Sequence, residues 1–254
     1  MITERQFASS FPDFWQELLP LLTPSCVHLL NAGYVERLQD ESGFEIVAVE
    51  TSEETRDAAV VSEFAYHLAK EAFQRSLSVK DAFDDNTIRS MAQTSGIEIV
   101  NTYEGRNVLP EANLNAAELD EGLELANRYE SFARCHGGAE RCAFQVPIKG
   151  CGFLQACRAD LVIGDDYLVE VKTVKRSLAG KDIRQLVVYL ALNSVTNPHP
   201  WQYAGFFNPR RATFHRFRTR ALIDLMSGGK SVVDVYTELL DFTCSSDVQL
   251  DSTF

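Results

Sequence analysis

The sequence predicts an α/β protein, with a mixed central sheet flanked by helices and a mainly helical region ahead of it. Three observations carry this expectation. From residue 115 onward the apolar patterning reads in order as helix, three strands, helix and strand. Two of the strand-like runs, 157–163 and 167–174, are separated only by Gly164-Asp165-Asp166, a turn composition. The apolar helix expected at 182–193 is long enough to carry the chain across a sheet between strands that no hairpin joins.

Residues 1–35 are expected to be helical, with Phe11, Phe14, Trp15, Leu18 and Leu19 at helical spacings and breaks at Pro20 and Pro24. A short strand is predicted over 44–49, and a long helix over 55–77 with Val61, Phe64, Ala65, Leu68 and Ala72 on one face. Residues 78–110 read as irregular apart from a strand at 97–100. The stretch 101–112, with Gly105 and Pro110, marks a candidate boundary between a helical region, 1–112, and a second unit, 113–254. In the second unit a helix is expected at 115–135 and strands at 142–148, 153–163, 167–174, 201–207 and 213–217. The helix 182–193 lies among them, and a last helix over 221–242 is softened at Gly228-Gly229.

No window of the 254 residues approaches the ~18 consecutive apolar residues of a membrane span. The first residues show no basic segment followed by an apolar one, so a cytoplasmic protein with six reduced cysteines is expected. The net charge of −12 argues at first against a nucleic-acid partner, but its distribution reverses that impression. Residues 172–220 hold ten Lys and Arg and a single acid, Asp182, giving +9 against −21 for the rest. Such a block is either a phosphate-tracking surface or a solvated face balancing an acidic one.

The hairpin concentrates the chemistry. If Gly164-Asp165-Asp166 forms a three-residue loop, Ile163 pairs with Tyr167 and Asp160 falls opposite Glu170. Strand period two then puts Lys172 on the same face. Carboxylates opposed at ~5 Å repel one another unless a cation sits between them. A divalent metal held by Asp160 and Glu170 is the economical answer, with the carbonyl of Val171 as a further ligand. Lys172 would orient or activate an attacking water. The competing reading is a solvated charged face of an amphipathic hairpin.

The segments Arg158-Ala159-Asp160-Leu161-Val162 and Leu168-Val169-Glu170-Val171-Lys172, followed by Gln185-Leu186-Val187-Val188-Tyr189, resemble the PD-(D/E)XK nuclease superfamily and its RecB-like branch. Ala159 stands where the superfamily name has proline, and Cys157 where the branch usually has glycine. The resemblance covers roughly residues 115–220. It implies a restriction-endonuclease-like core and Mg²⁺-dependent hydrolysis of DNA, with Mn²⁺ as a substitute, in repair, recombination or antiviral defence. It also implies that Gln185 and Tyr189 position the substrate strand. Lys175, Arg176, Lys181, Arg184, Arg210 and Arg211 are the expected phosphate contacts. An inactive nuclease-fold module that binds nucleic acid or scaffolds a defence complex is the alternative, and the acidic N-terminal region would suit a protein partner.

Members of this superfamily often carry a further acid or histidine on an earlier helix. Glu130 lies within the apolar face of the 115–135 helix, and its inward carboxylate would need a metal or an ion pair, for instance with Arg158. Glu121 and Glu124 project to the other side and read as solvated, and His67 reads as a helix-surface residue. Cys135, Cys142, Cys151 and Cys157 are separated by 6, 8 and 5 residues with no Cys-x-x-Cys knuckle, which favours buried thiols over zinc or an iron–sulfur cluster.

Overall fold

A computed structural model of the protein describes residues 1–104 and 113–245. Helices α1 (Glu4–Ser9), α2 (Pro12–Leu18) and α3 (Pro24–Gly33) lead into strand β1 (Val35–Arg37). Four helices follow: α4 (Ala58–Gln74), α5 (Val79–Asp84), α6 (Asn86–Glu104) and α7 (Ala116–Cys135). Strands β2 (Cys142–Ile148), β3 (Cys157–Ile163) and β4 (Tyr167–Val171) precede α8 (Gly180–Thr196). The chain then forms β5 (Tyr203–Asn208), β6 (Thr213–Arg218), α9 (Thr219–Met226) and α10 (Val232–Cys244).

The strands form one six-stranded sheet in the order β1-β6-β5-β4-β3-β2. Only β4 and β5 are parallel, and α8 is the crossover between them. The other neighbours are antiparallel, so the sheet is mixed and flanked by helices as the sequence predicts. Each sheet face carries its own core. Leu161, Ile163, Val169 and Phe207 pack with Phe64, Tyr129 and Phe132 of α4 and α7. Val162, Leu168 and Phe206 belong with Phe7, Trp15, Leu186, Val187 and Leu239 of α1, α2, α8 and α10. Alternation therefore sends the even-numbered residues of β4 toward α8. Both cores draw residues from before and after position 112.

Local chemistry fixes the helix limits. Asn115 and Glu118 form a reciprocal capping box at the start of α7. Asp182 accepts the Ala179 N–H at 2.8 Å to open α8. The expected softening at Gly228-Gly229 is a full break between α9 and α10, with φ of +68° and +105°.

Two sequence expectations fail in the first hundred residues. Residues 79–84 and 86–104 are helical, and the predicted strand at 97–100 lies in the second half of α6, where Ile88, Ala92, Ile97 and Val100 face the core. The predicted strand at 44–49 does not form; Phe44 and Val47 are exposed, and pairing is confined to an isolated Gln39–Glu45 bridge. Instead β1, a three-residue exposed edge strand without alternation, pairs with β6. Most of the candidate boundary at 101–112 lies outside the described residues.

His67 is also a correction, being buried in α4 and not on its surface. Burial lowers its pKa to about 4, and His215 on β6 is lowered to about 4 for the same reason. A histidine kept neutral by the fold favours the native state above its unfolded pKa and opposes it as pH falls toward the folded value. Stability should therefore drop between about pH 6.5 and 4, by about 2 kcal/mol per histidine at pH 5. Urea denaturation at pH 7 and pH 5 checks this: the drop should shrink in the His67→Leu, His215→Leu double variant and stay unchanged if neither residue is the source.

Candidate active site

The β3–β4 hairpin turns as the sequence predicts. Gly164 takes φ +57°, and the ladder pairs Leu161 with Val169, Val162 with Leu168 and Ile163 with Tyr167. This register extrapolates to Asp160 opposite Glu170. Beyond the ladder, the Asp160 carboxylate reaches across and accepts the Val171 N–H at 2.8 Å. Burial first, then the charge of Glu170, pushes the Asp160 carboxyl well above the usual carboxylate range. Arg5, Lys172 and the Val171 N–H act in the opposite sense.

Glu170 is fully buried. Its Oε1 accepts from Lys172 Nζ at 2.7 Å, while Oε2 has no hydrogen-bond partner among the described residues. Lys172 Nζ also donates to Gln185 Oε1 at 2.8 Å. The Gln185 amide nitrogen donates to Tyr189 Oη at 3.2 Å and to Glu4 Oε1 at 3.3 Å. Tyr189 Oη donates to the same Glu4 oxygen at 3.1 Å. A continuous polar chain thus runs from Glu170 through Lys172, Gln185 and Tyr189 to Glu4. The i, i+4 placement of Gln185 and Tyr189 on α8 brings both to one side, as expected from their spacing.

Glu4 and Arg5 are the site residues that sequence reasoning missed. They sit in the first turn of α1, which a Thr3–Gln6 capping box nucleates. Arg5 Nε lies 3.8 Å from Glu4 Oε1, and its side chain stays 60% exposed. Partial desolvation opposes its charge, yet the nearby Glu170 and Asp160 hold the Arg5 guanidinium above its ordinary value. Two more neighbours border the site. Tyr66 Oη donates to the Asp160 carbonyl at 2.6 Å. Burial, with Glu4 and Glu170 close by, pushes the Cys157 thiol up to about 12, so it stays protonated.

Glu130 is engaged elsewhere: its carboxylate accepts the Val79 N–H at 2.6 Å, at the start of α5. Its helix position does point inward, but a helix N-terminus satisfies it. Val171 contributes an N–H to Asp160. Glu121 is buried, contrary to expectation, and accepts from Arg210 at 2.7 Å and from Thr55 Oγ1 at 2.6 Å. The paired Arg210 is itself buried, which removes it from the phosphate contacts. Arg184 lies over the Trp15 ring, 5.6 Å from its centroid, and fastens α2 to α8. Arg176 pairs with Asp182 at 2.5 Å. Lys181 is exposed on α8; among the described residues Lys175 meets the exposed Glu50, and the Arg211 guanidinium reaches the Ser177 hydroxyl.

No set of three or more His, Cys, Asp and Glu side chains is arranged for a metal ion among the described residues. Mg²⁺ needs only one or two protein carboxylates, the rest of its shell being water and substrate oxygen. Asp160 and Glu170 meet that requirement, and the orphaned Glu170 Oε2 is an oxygen suited to it. Comparison with protein-family models gives no match, and neither does comparison with curated proteins.

The different fates of the basic residues can be measured by chemical denaturation. Arg210→Ala should cost about 3–5 kcal/mol by leaving Glu121 buried and uncompensated. Lys175→Ala and Lys181→Ala should stay within about 0.5 kcal/mol of wild type. Equal stability of all three variants would contradict the structural role of Arg210.

Proposed function

We propose that the protein is a Mg²⁺-dependent nuclease of the PD-(D/E)XK type that hydrolyses DNA phosphodiester bonds. One observation supports this above the others: a buried carboxylate with one oxygen on a lysine and the other unsatisfied, beside a second carboxylate on the adjoining strand. A solvated charged face, the bland reading of the hairpin, would not bury Glu170 completely.

Asp160 and Glu170 would hold the ion, with the Val171 carbonyl beside them. When bound, it supplies charge neutralisation at the phosphoryl oxygens and a more acidic water. Lys172 has three N–H donors, of which Glu170 and Gln185 take two. The third is available to a water or to a phosphoryl oxygen. Gln185 fixes the ammonium, and Tyr189 ties Gln185 to Glu4, so the lysine is held from two sides. Arg5 offers an exposed, permanently charged fork suited to a phosphate oxygen. Lys175, Lys181 and Arg211 would supply further phosphate contacts.

Purified protein with DNA and Mg²⁺ tests this directly. Asp160→Ala and Lys172→Ala should abolish cleavage with the circular dichroism spectrum retained. Gln185→Ala should lower the rate about 10–100-fold, as loss of a supporting contact does. Cleavage at wild-type rates by both Asp160→Ala and Lys172→Ala would remove these residues from the chemistry. DNA binding without Mg²⁺ or Mn²⁺ binding in the wild type would instead favour the catalytically inactive module.

A further inference from the structure

Away from the carboxylates, the loop between β2 and β3 meets the last turn of α10 sulfur to sulfur. Cys151 Sγ lies 3.6 Å from Cys244 Sγ; Cys244 is exposed and Cys151 half-buried. The backbones hold this approach. The Phe153 N–H donates to the Thr243 carbonyl at 3.0 Å. Gly152, at φ +57°, packs so closely that a Cβ there would collide with the same carbonyl oxygen.

We propose that Cys151 and Cys244 are a reversible disulfide site, closed by exchange with a low-molecular-weight disulfide such as oxidised glutathione. The exposed Cys244, as thiolate, attacks one sulfur of the small disulfide and expels a thiolate, leaving a mixed disulfide. Cys151 gives its proton to solvent and attacks the Cys244 sulfur, expelling the second thiolate. The protein loses two protons and two electrons, and the small disulfide takes them up to become two thiols. Burial, and then Cys244 itself, pushes the Cys151 thiol up, so the exposed Cys244 attacks first and Cys151 second. Closing the bond needs the sulfurs to approach to ~2.05 Å, a movement within reach of side-chain rotation at the exposed Cys244.

The bond would fasten more than the helix end. The Ile2 N–H donates to the Phe153 carbonyl at 2.9 Å, and the Gln155 N–H donates to the Ile2 carbonyl at 3.1 Å. The loop that carries Cys151 therefore holds the residues just ahead of Glu4. Oxidation would link α10 covalently to the loop on which the segment carrying Glu4 and Arg5 is hydrogen-bonded. This holds whatever reaction the site performs.

The test incubates the reduced, folded protein with oxidised glutathione, blocks free thiols by alkylation and maps the peptides. The expected product lacks two hydrogens, joins Cys151 to Cys244 and reopens with dithiothreitol. Cys151→Ser should instead accumulate a stable glutathione adduct on Cys244. Amide exchange at Ile2, Phe153 and Gln155 should slow in the oxidised wild type. Free Cys151 and Cys244, a glutathione adduct that persists in the wild type, or pairing with Cys26, Cys135, Cys142 or Cys157 would overturn the proposal. Unchanged exchange in the linked protein would overturn the coupling to the N-terminal segment.

Discussion

A carboxylate removed from water is the constraint around which this molecule is arranged. Glu170 sits at the centre of the sheet with no surface exposed, where an uncompensated charge would cost several kcal/mol. Lys172 meets one oxygen, and Lys172 in turn depends on Gln185. Gln185 is held there by α8, whose Ile183, Leu186, Val187 and Leu190 are buried in the core on that face of the sheet. Among the described residues the second oxygen has no partner, a costly arrangement for stability alone. In the proposed reading, this oxygen is the one that meets the metal ion.

The N-terminal helices are part of the same construction. Phe7 packs against Phe11, Phe14, Trp15, Phe153 and Phe242, and Trp15 Nε1 donates to the Phe7 carbonyl at 3.0 Å. This aromatic cluster anchors α1 so that Glu4 reaches Tyr189 and Gln185. A half-exposed helix of six residues could not hold that position by its own hydrogen bonds. Tertiary packing supplies the rigidity that the site needs. Several arginines serve the same purpose: Arg184 stacks on Trp15, and Arg210 closes the buried ion pair with Glu121.

How much of this was legible in the chain follows from the range of each interaction. The hairpin register was readable because a glycine turn and period-two alternation are local signals, and Gln185 with Tyr189 because helical spacing is local too. Glu4 was not: it meets its partners across more than 180 residues, and no periodicity connects them. Glu130, expected to point inward to a metal or an ion pair, is half-buried and caps the start of α5, a segment whose sequence reads as irregular. The cluster Ile97, Ile99 and Val100 resembled a short strand because β-branched residues dominate it, while the wider spacing back to Ile88 was helical. Charge counting treated Arg210 as surface, because composition does not reveal that Glu121 would be folded against it.

The central claim is that Asp160 and Glu170 together hold a divalent cation. Anomalous X-ray scattering from crystals grown with Mn²⁺ measures that most directly. A peak within coordination distance of an Asp160 oxygen and of Glu170 Oε2, absent from Asp160→Ala crystals, is the predicted result. Crystals saturated with Mn²⁺ that show no peak between these carboxylates would contradict it.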